Sequence, residues 1–195
     1  MADKIALSGF CASRLWPITT NDKTTYATGT MDEFEGARNL TKDESRSEYT
    51  IPGDNIIYAT GSELDYEDLE FEVNQLTLAQ IAFMNGATYN ESTKEYIAKK
   101  GDKPPEYAYA YAAPLLDGGY RMFKHYCCKT LKIKVDHTTV EQGKKDIQTY
   151  KITMRSTYRT ADLRSVFIKD AETLDWLNTI DQLPVEPEGG GGGGG

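Results

Sequence analysis

The chain has 195 residues, a formal net charge of −8 at pH 7 and a hydrophobic content of 39%. This length is typical of one domain, and no apolar run approaches the roughly 20 residues that a bilayer-spanning helix needs, so we expect no membrane partner. The acidic balance argues against general nucleic-acid binding, which depends on Lys and Arg that neutralise phosphates.

The first residues of the chain indicate its compartment, and the number and spacing of its cysteines indicate their redox state. The first residues lack the basic and then apolar pattern of a secretion signal, so we expect the cytoplasm. Cys11, Cys127 and Cys128 are odd in number. Adjacent cysteines rarely bond each other, so we predict reduced thiols.

The first third of the sequence is polar. Residues 19–36 are poorly patterned, and residues 41–55 are charged and poor in apolar side chains. We predict long polar loops near both ranges, and long loops in compact domains are usually functional or disordered. The second range cannot bury a core of its own, so we expect it to order against a neighbouring molecule.

An acid-rich strand and a short helix follow. Between Glu63 and Val73 apolar residues alternate with acids, with one change of phase after Tyr66 that predicts a β-bulge. Thr77 can cap a helix that Asn85 and Gly86 would end. We therefore predict a helix over 77–86.

The next pattern predicts a hairpin. Tyrosines alternate with alanines over 107–112, so one face of this strand is aromatic and the other is small enough for another layer to approach closely. Asp117, Gly118 and Gly119 tolerate the positive φ angles of a tight turn, and a second aromatic strand follows over 120–127.

The last patterned segments predict strands over 131–135 and 147–158 and a short amphipathic helix over 170–180. The fold class that follows is mainly β, a sandwich or partly open barrel of antiparallel strands with one short flanking helix and a short C-terminal helix. We predict a single domain over 1–188 and a disordered glycine tail over 189–195.

Side chains that could support catalysis or metal binding are few. His125 lies near Cys127 and Cys128, but a zinc site needs about four ligands, and His137 stands apart. A strand cysteine among aromatic residues more often packs in a core than acts as a nucleophile. Clustered acids could cleave a glycosidic bond, but alternate acids on a strand more often form a solvated face. We expect no cofactor, no metal and no enzymatic activity.

Charge is segregated along the sequence. The strand over 63–73 has acids and no basic residue, whereas residues 121–159 are rich in Lys and Arg. Two interpretations stay open: the charges cancel within one folded chain, or an acidic surface of one copy meets a basic surface of the next. Lys132 and Lys134 are the predicted inter-subunit charge partners.

Three segments, 51–86, 105–128 and 149–167, resemble the major tail tube proteins of long-tailed bacteriophages. In the first, a polar loop leads through an acid-rich strand into a short helix. In the second, a small-residue strand turns on Asp-Gly-Gly into an aromatic strand. The third is similar to the closing strand of that family.

The resemblance implies a virion subunit with the tail tube fold, which forms hexameric rings with a continuous inner barrel and stacks them into a tube. The tube would enclose a tape measure protein, end at tail terminator and distal tail proteins, and later conduct DNA without specific binding. The predicted ring-stacking residues are Lys42, Asp43, Glu44, Arg46, Asp54 and Asn55. The predicted lumen-facing acids are drawn from Glu67, Asp68, Glu70 and Glu72.

The alternative from another class is a soluble β-sandwich binding module for a carbohydrate or protein ligand. Its platform would consist of exposed aromatic side chains: Trp16, Tyr107, Tyr109, Tyr111 and Trp176. Rings or tubes in electron micrographs would favour the tail tube interpretation, whereas a strict monomer that binds a ligand would favour the module.

Overall fold

The computed structural model describes residues 6–53, 56–135, 137 and 149–183. The strands in this part of the chain are β1 (Cys11–Asn21), β2 (Tyr26–Thr28), β3 (Asp32–Phe34), β4 (Ala37–Gly53), β5 (Ile56–Val73), β6 (Thr88–Asn90), β7 (Glu95–Ile97), β8 (Glu106–Pro114), β9 (Tyr120–Val135), β10 (Tyr150–Thr157) and β11 (Val166–Ala171). The helices are α1 (Leu78–Asn85) and one 3-10 turn (Asp175–Asn178). The predicted fold class, mainly antiparallel β with few helices, is confirmed.

Nearly all the strands belong to one antiparallel sheet with the order β2-β1-β8-β9-β10-β5-β4. Strand β3 also pairs with β1, and β11 pairs with β9, whereas β6 and β7 form a separate hairpin. The sheet curls without closing into a barrel. Because of this curl, Phe71 of β5 stacks on Tyr109 of β8 with 5.0 Å between ring centroids, although two strands lie between them in the sheet.

The predicted hairpin of two aromatic strands is present as β8 and β9. Its turn contains Gly118 and Gly119 with φ angles of 103° and 79°, and the Leu115 N–H donates to the Gly119 carbonyl. A side chain at position 119 would also clash, because a Cβ there would lie 2.8 Å from the Ala171 carbonyl oxygen. Glycine is therefore required at the turn for two separate reasons.

The aromatic face of β8 forms the larger core. Tyr107, Tyr109 and Tyr111 are at most 5% exposed and pack with Phe71 of β5 and Met84 of α1. The Tyr109 hydroxyl accepts a hydrogen bond from Ser13, and the Tyr107 hydroxyl lies 2.9 Å from the Thr130 hydroxyl. Both polar tips are thus satisfied inside the core.

The alanine face of β8 is also buried. Ala108, Ala110 and Ala112 are fully buried in a second core, to which Leu177 and Ile180 of the C-terminal segment contribute. The predicted close approach of another layer is confirmed, because these small side chains leave room for residues 174–183. Strand β8 is therefore covered on both faces.

Helix α1 confirms the prediction for 77–86. The Thr77 hydroxyl accepts from the Gln80 N–H, the Gln80 side chain accepts from the Thr77 N–H, and Gly86 ends the helix in the left-handed conformation. The predicted C-terminal helix is much shorter, one 3-10 turn with no side-chain cap at Leu174.

The polar loop predicted for 41–55 is wrong over its described part, because residues 41–53 belong to β4. Strand β5 pairs with β4 along its whole length, so the backbone groups on that side of β4 are hydrogen-bonded without apolar side chains. The range 19–36 is only partly loop, since it contains the end of β1 and all of β2 and β3. Residues 54–55 and 189–195 lie outside the described residues.

The predicted bulge in the acidic strand is present, but its position was misjudged. Ser45 lies opposite Tyr66 and Arg46 lies opposite Leu64, so Asp65 is the extra residue. Glu67 consequently has the same orientation as Leu69 and Phe71, toward the core.

The two-sided burial of β8 generates a stability prediction. Leu177→Ala removes a fully buried side chain from the alanine face and should lower the free energy of unfolding by about 2–5 kcal/mol in a urea titration. Leu116→Ala is the control, because Leu116 is 71% exposed and its replacement should change stability little. Equal losses in both variants would show that the C-terminal segment does not cover a true core.

Candidate functional site

Strands β4 and β5 extend beyond the rest of the sheet as a two-stranded ribbon. Strand β10 pairs with β5 only from Val73 to Glu67, so residues 45–53 and 56–65 continue without a third strand; we call them the arm. Within the described residues, no strand pairs with the outer edge of the 17-residue β4. A long edge with unpaired backbone groups is a template for pairing with another chain.

The β4 strand of the arm carries an exposed apolar spot. Tyr49 and Ile51 are each 49% exposed and point to the same side of β4. The Tyr49 ring covers Gly61 on β5, where an added Cβ would lie 2.2 Å from a ring carbon. Covering a strand glycine with a cross-strand aromatic ring is a known way to support pairing.

A charged cluster with a buried carboxylate and a buried imidazole lies where the arm joins the sheet. Glu67 is 1% exposed, and the Lys42 ammonium from β4 donates to its Oε1 atom at 2.8 Å. His125 from β9 is fully buried, with Nδ1 3.2 Å from Glu67 Oε2 and 3.1 Å from the Ser156 hydroxyl of β10. We call Lys42, Glu67 and His125 the root cluster; its three residues belong to three strands, and Ser156 connects it to a fourth, β10.

The protonation states of the root cluster follow from burial and pairing. Desolvation opposes the charged form of Glu67, but the contacts with His125 and Lys42 outweigh it and lower the pKa to about 2. Desolvation also lowers the pKa of His125, despite the neighbouring carboxylate. The pair Glu67 and Lys42 is thus charged at neutral pH and the imidazole is neutral.

Of the four acids predicted to face a lumen, Glu67 is wrong, because it points into the core. Asp68 and Glu70 lie on the opposite face of β5 and are paired within the chain, Asp68 with Arg155 at 2.8 Å and Glu70 with Lys151 at 2.7 Å. For these two acids the charges cancel within one chain. Glu72 shares their face, opposite Lys151 in the register. A lumen-facing role for these three stays a prediction.

The two basic residues predicted to meet acids of another copy lie on β9. Lys132 and Lys134 are exposed and lie opposite Thr153 and Lys151 of β10, so one strand separates them from the acids of β5. The structure does not bring them beside those acids. Their role as inter-subunit partners stays a prediction.

The predicted ring-stacking residues on β4 form part of a charged row. The Glu44 carboxylate accepts from Lys42 at 2.8 Å and from Arg46 at 2.9 Å, while Asp43 points to the other face, opposite Asp68. Only Lys42 continues this row into the core, through Glu67. Asp54 and Asn55 lie outside the described residues.

Catalytic and metal-binding chemistry has no visible basis in the described part of the chain. Burial raises the pKa of Cys127 to about 11 and that of Cys128 well above its usual value, so neither forms a thiolate easily. His125 is engaged by Glu67. No group of three His, Cys, Asp or Glu side chains that could hold a metal ion is present among the described residues.

The aromatic platform of the alternative binding module is also wrong. Trp16 is 4% exposed and the three tyrosines of β8 are core residues. Trp176 is half-buried, because its ring packs on Phe167 and covers the Lys124 ammonium at 3.8 Å.

Among the described residues, no helix is long and apolar enough to cross a bilayer.

The sequence did not lead us to predict two buried cations, Lys124 and Arg159, that contact the C-terminal segment. Lys124 is fully buried under Trp176, and desolvation lowers its pKa to about 8. Arg159 lies 4.2 Å from the Tyr126 ring centroid and donates to the Asp181 carbonyl oxygen at 2.7 Å. The available signal was the spacing on β9: Lys124 lies two positions from Tyr126, and residues two apart on a strand point to the same face, which is buried here.

Comparisons with known proteins give no family. No protein-family model matches the chain, and no curated protein matches it. Fourteen chains of solved structures match. One belongs to the cryo-EM structure of the anti-feeding prophage (AFP) baseplate, at 7% sequence identity and a TM-score of 0.41, covering 87% of this chain and 97% of that chain. A likeness at that TM-score supports no inference about this chain.

The root cluster predicts a pH-dependent stability. A histidine whose folded pKa is depressed contributes stability above its unfolded pKa and loses it as the pH falls. Urea titrations from pH 7.5 to 5.5 should therefore show a decrease in the free energy of unfolding, with a limiting slope of about 1.4 kcal/mol per pH unit.

The variant His125→Gln should flatten this slope, because glutamine does not titrate. His137→Gln is the matched control, since His137 is the only other histidine and is exposed. An unchanged slope in His125→Gln would show that other groups carry the pH dependence.

Proposed function

We propose that this chain is a non-enzymatic structural subunit of a bacteriophage tail tube, in which copies pair along the outer edge of β4 and through the arm. The observation that carries the proposal is the long β4 edge that no strand of the described chain covers. The resemblance of 51–86, 105–128 and 149–167 to major tail tube proteins supports the particular kind of assembly.

The arm is a poor structure for an isolated chain and a suitable one for an assembly. A two-stranded ribbon alone is marginally stable in water, and an uncovered edge invites uncontrolled aggregation. Pairing with the next copy satisfies the edge, buries the apolar spot at Tyr49 and Ile51, and can continue the sheet around a ring. Hexameric rings that stack through their arms would build a tube.

The remaining parts of the proposal concern the lumen and the ends of the tube. The face of β5 that carries Asp68, Glu70 and Glu72 points away from the core, so it can line a channel. The ion pairs of Arg155 with Asp68 and of Lys151 with Glu70 engage these two cations of β10, so they are not free to hold a DNA phosphate backbone. Such a tube would enclose a tape measure protein during assembly in the host cytoplasm, end at terminator and distal tail proteins, and conduct DNA in the virion.

The test changes the apolar spot of the arm. Tyr49→Lys with Ile51→Lys places two charged side chains in the proposed contact, where they would have to be desolvated, and should leave a folded monomer, whereas the parent chain forms rings or tubes at high concentration. Sedimentation velocity and negative-stain electron microscopy measure the difference, and circular dichroism checks the fold.

The matched control adds two lysines to the other two-stranded hairpin. Thr88→Lys with Ile97→Lys changes a cross-strand pair on β6 and β7, away from the arm, and should assemble like the parent. Normal assembly of the arm variant would show that the arm is not the contact. A parent chain that stays monomeric at every concentration would contradict the proposed function itself.

A further inference from the structure

We propose that the root cluster, Lys42, Glu67 and His125, is a register lock, which holds β4 on β5 in one alignment and so fixes where the arm presents its edge and its apolar spot. The inference is about the single chain. Its consequence for assembly rests on the proposed function, because a misaligned arm would offer a different surface to the next copy.

The arm itself specifies its register weakly. Described positions of β4 from Arg46 to Ile51 are all exposed, so neither face of this stretch is fixed by a core. Strands that are polar on both faces are prone to slippage. The cross-strand side-chain contacts within the arm, Ser47 to Asp65 at 2.6 Å and the Tyr49 ring over Gly61, are exposed, so they restrain the alignment without the support of a core.

The root cluster supplies the missing restraint. Glu44 of β4 lies directly opposite Glu67 of β5, a like-charge pair that would repel. Lys42 donates to both carboxylates at 2.8 Å and so turns the repulsion into a bridge. On the other side, His125 of β9 contacts Glu67 and is itself hydrogen-bonded to the Ser156 hydroxyl of β10, so the bridge is connected to the central strands of the sheet.

A slip of one residue would destroy this arrangement. It would turn Lys42 to the outer face and bring Asp43 to the inner face, so the buried Glu67 would lose its cation and gain a second carboxylate as a neighbour. A slip of two residues keeps the faces, but it moves either Arg38 or Lys42 opposite Phe71, the position that Leu40 now fills. Each alternative leaves a charge against apolar side chains.

The root cluster is better explained by its effect on the alignment of β4 with β5 than by a contribution to the stability of the folded chain. Buried ion pairs are often no more stabilising than apolar side chains of similar volume, and fixing register is their best-attested use. Here Nε2 of His125 has no hydrogen-bond partner among the described residues, and Oε2 of Glu67 has the 3.2 Å contact with His125 Nδ1. A buried network with an unsatisfied polar atom is costly, so we infer that its role is to align the strands.

The test observes the arm of the full-length chain by NMR, at a concentration where it sediments as a monomer. The parent should give one set of arm signals with contacts between the amides of Glu48 and Ser62, which lie opposite each other. In Lys42→Met the arm signals should double or broaden, with new contacts from Glu48 to Thr60 or Leu64. The His125 imidazole should also protonate at a higher pH, because the Lys42 charge no longer opposes it.

Lys151→Met is the matched control, since Lys151 also pairs with an acid of β5, at 2.7 Å, but on the outer face. It should keep one set of arm signals. The double variant Lys42→Met with Glu67→Leu distinguishes two effects of the single variant: the loss of strand alignment, and the burial of a Glu67 carboxylate without its cation. The lock predicts that its arm stays heterogeneous although no buried charge is left unpaired.

A single native set of arm signals in Lys42→Met, or its return in the double variant, would overturn the lock. If either variant does not fold, the other decides. All these measurements are made on monomers, so they do not depend on the tube. Slipped arms in a chain whose parent never assembles would support the lock and contradict the proposed function.

Discussion

The fold depends on the fact that β8 is buried on both of its faces. From Tyr107 to Ala113 this strand carries no charged side chain, and its alternating tyrosines and alanines divide the interior into an aromatic core and a second core. The aromatic side needs a curled sheet, because rings from β5 and β8 meet across it. The alanine side needs a covering segment, and the 3-10 turn with Leu177 supplies it. Strands β9 and β10 then connect this centre to the strands that leave it.

The arm extends away from the two cores. Strand β5 belongs to the core at one end and to the arm at the other. From Val73 back to Glu67, β5 has one face in the core; beyond the bulge at Asp65 it is half of a ribbon. Glu67 is the last inward residue before this change, and it is charged. Its pairing with Lys42 couples the alignment of an exposed edge to the packing of the interior. The same two strands therefore provide both a base within the sheet and an edge that no strand of the described chain covers.

Sequence alone predicted the parts that depend on local pattern. The tyrosine and alanine alternation, the Asp-Gly-Gly turn and the Thr77 capping box each follow from residues within a few positions of one another. It failed where the deciding partner is distant. An acid on a strand is expected to face water, and only Lys42, 25 positions away, and His125 on β9 make the inward orientation of Glu67 tolerable. Residues 41–53 looked like a loop because their stabilisation comes from the backbone of β5 and not from their own side chains.

The central claim is that the open edge of β4 is completed by another copy of the chain. A cryo-EM reconstruction of the purified protein at high concentration, at a resolution that separates strands, tests it most directly. The account predicts rings or a helical tube in which the outer edge of every β4 is hydrogen-bonded to a strand of a neighbouring copy, with Tyr49 and Ile51 inside that contact. An assembly in which the β4 edge and the arm face solvent would contradict it.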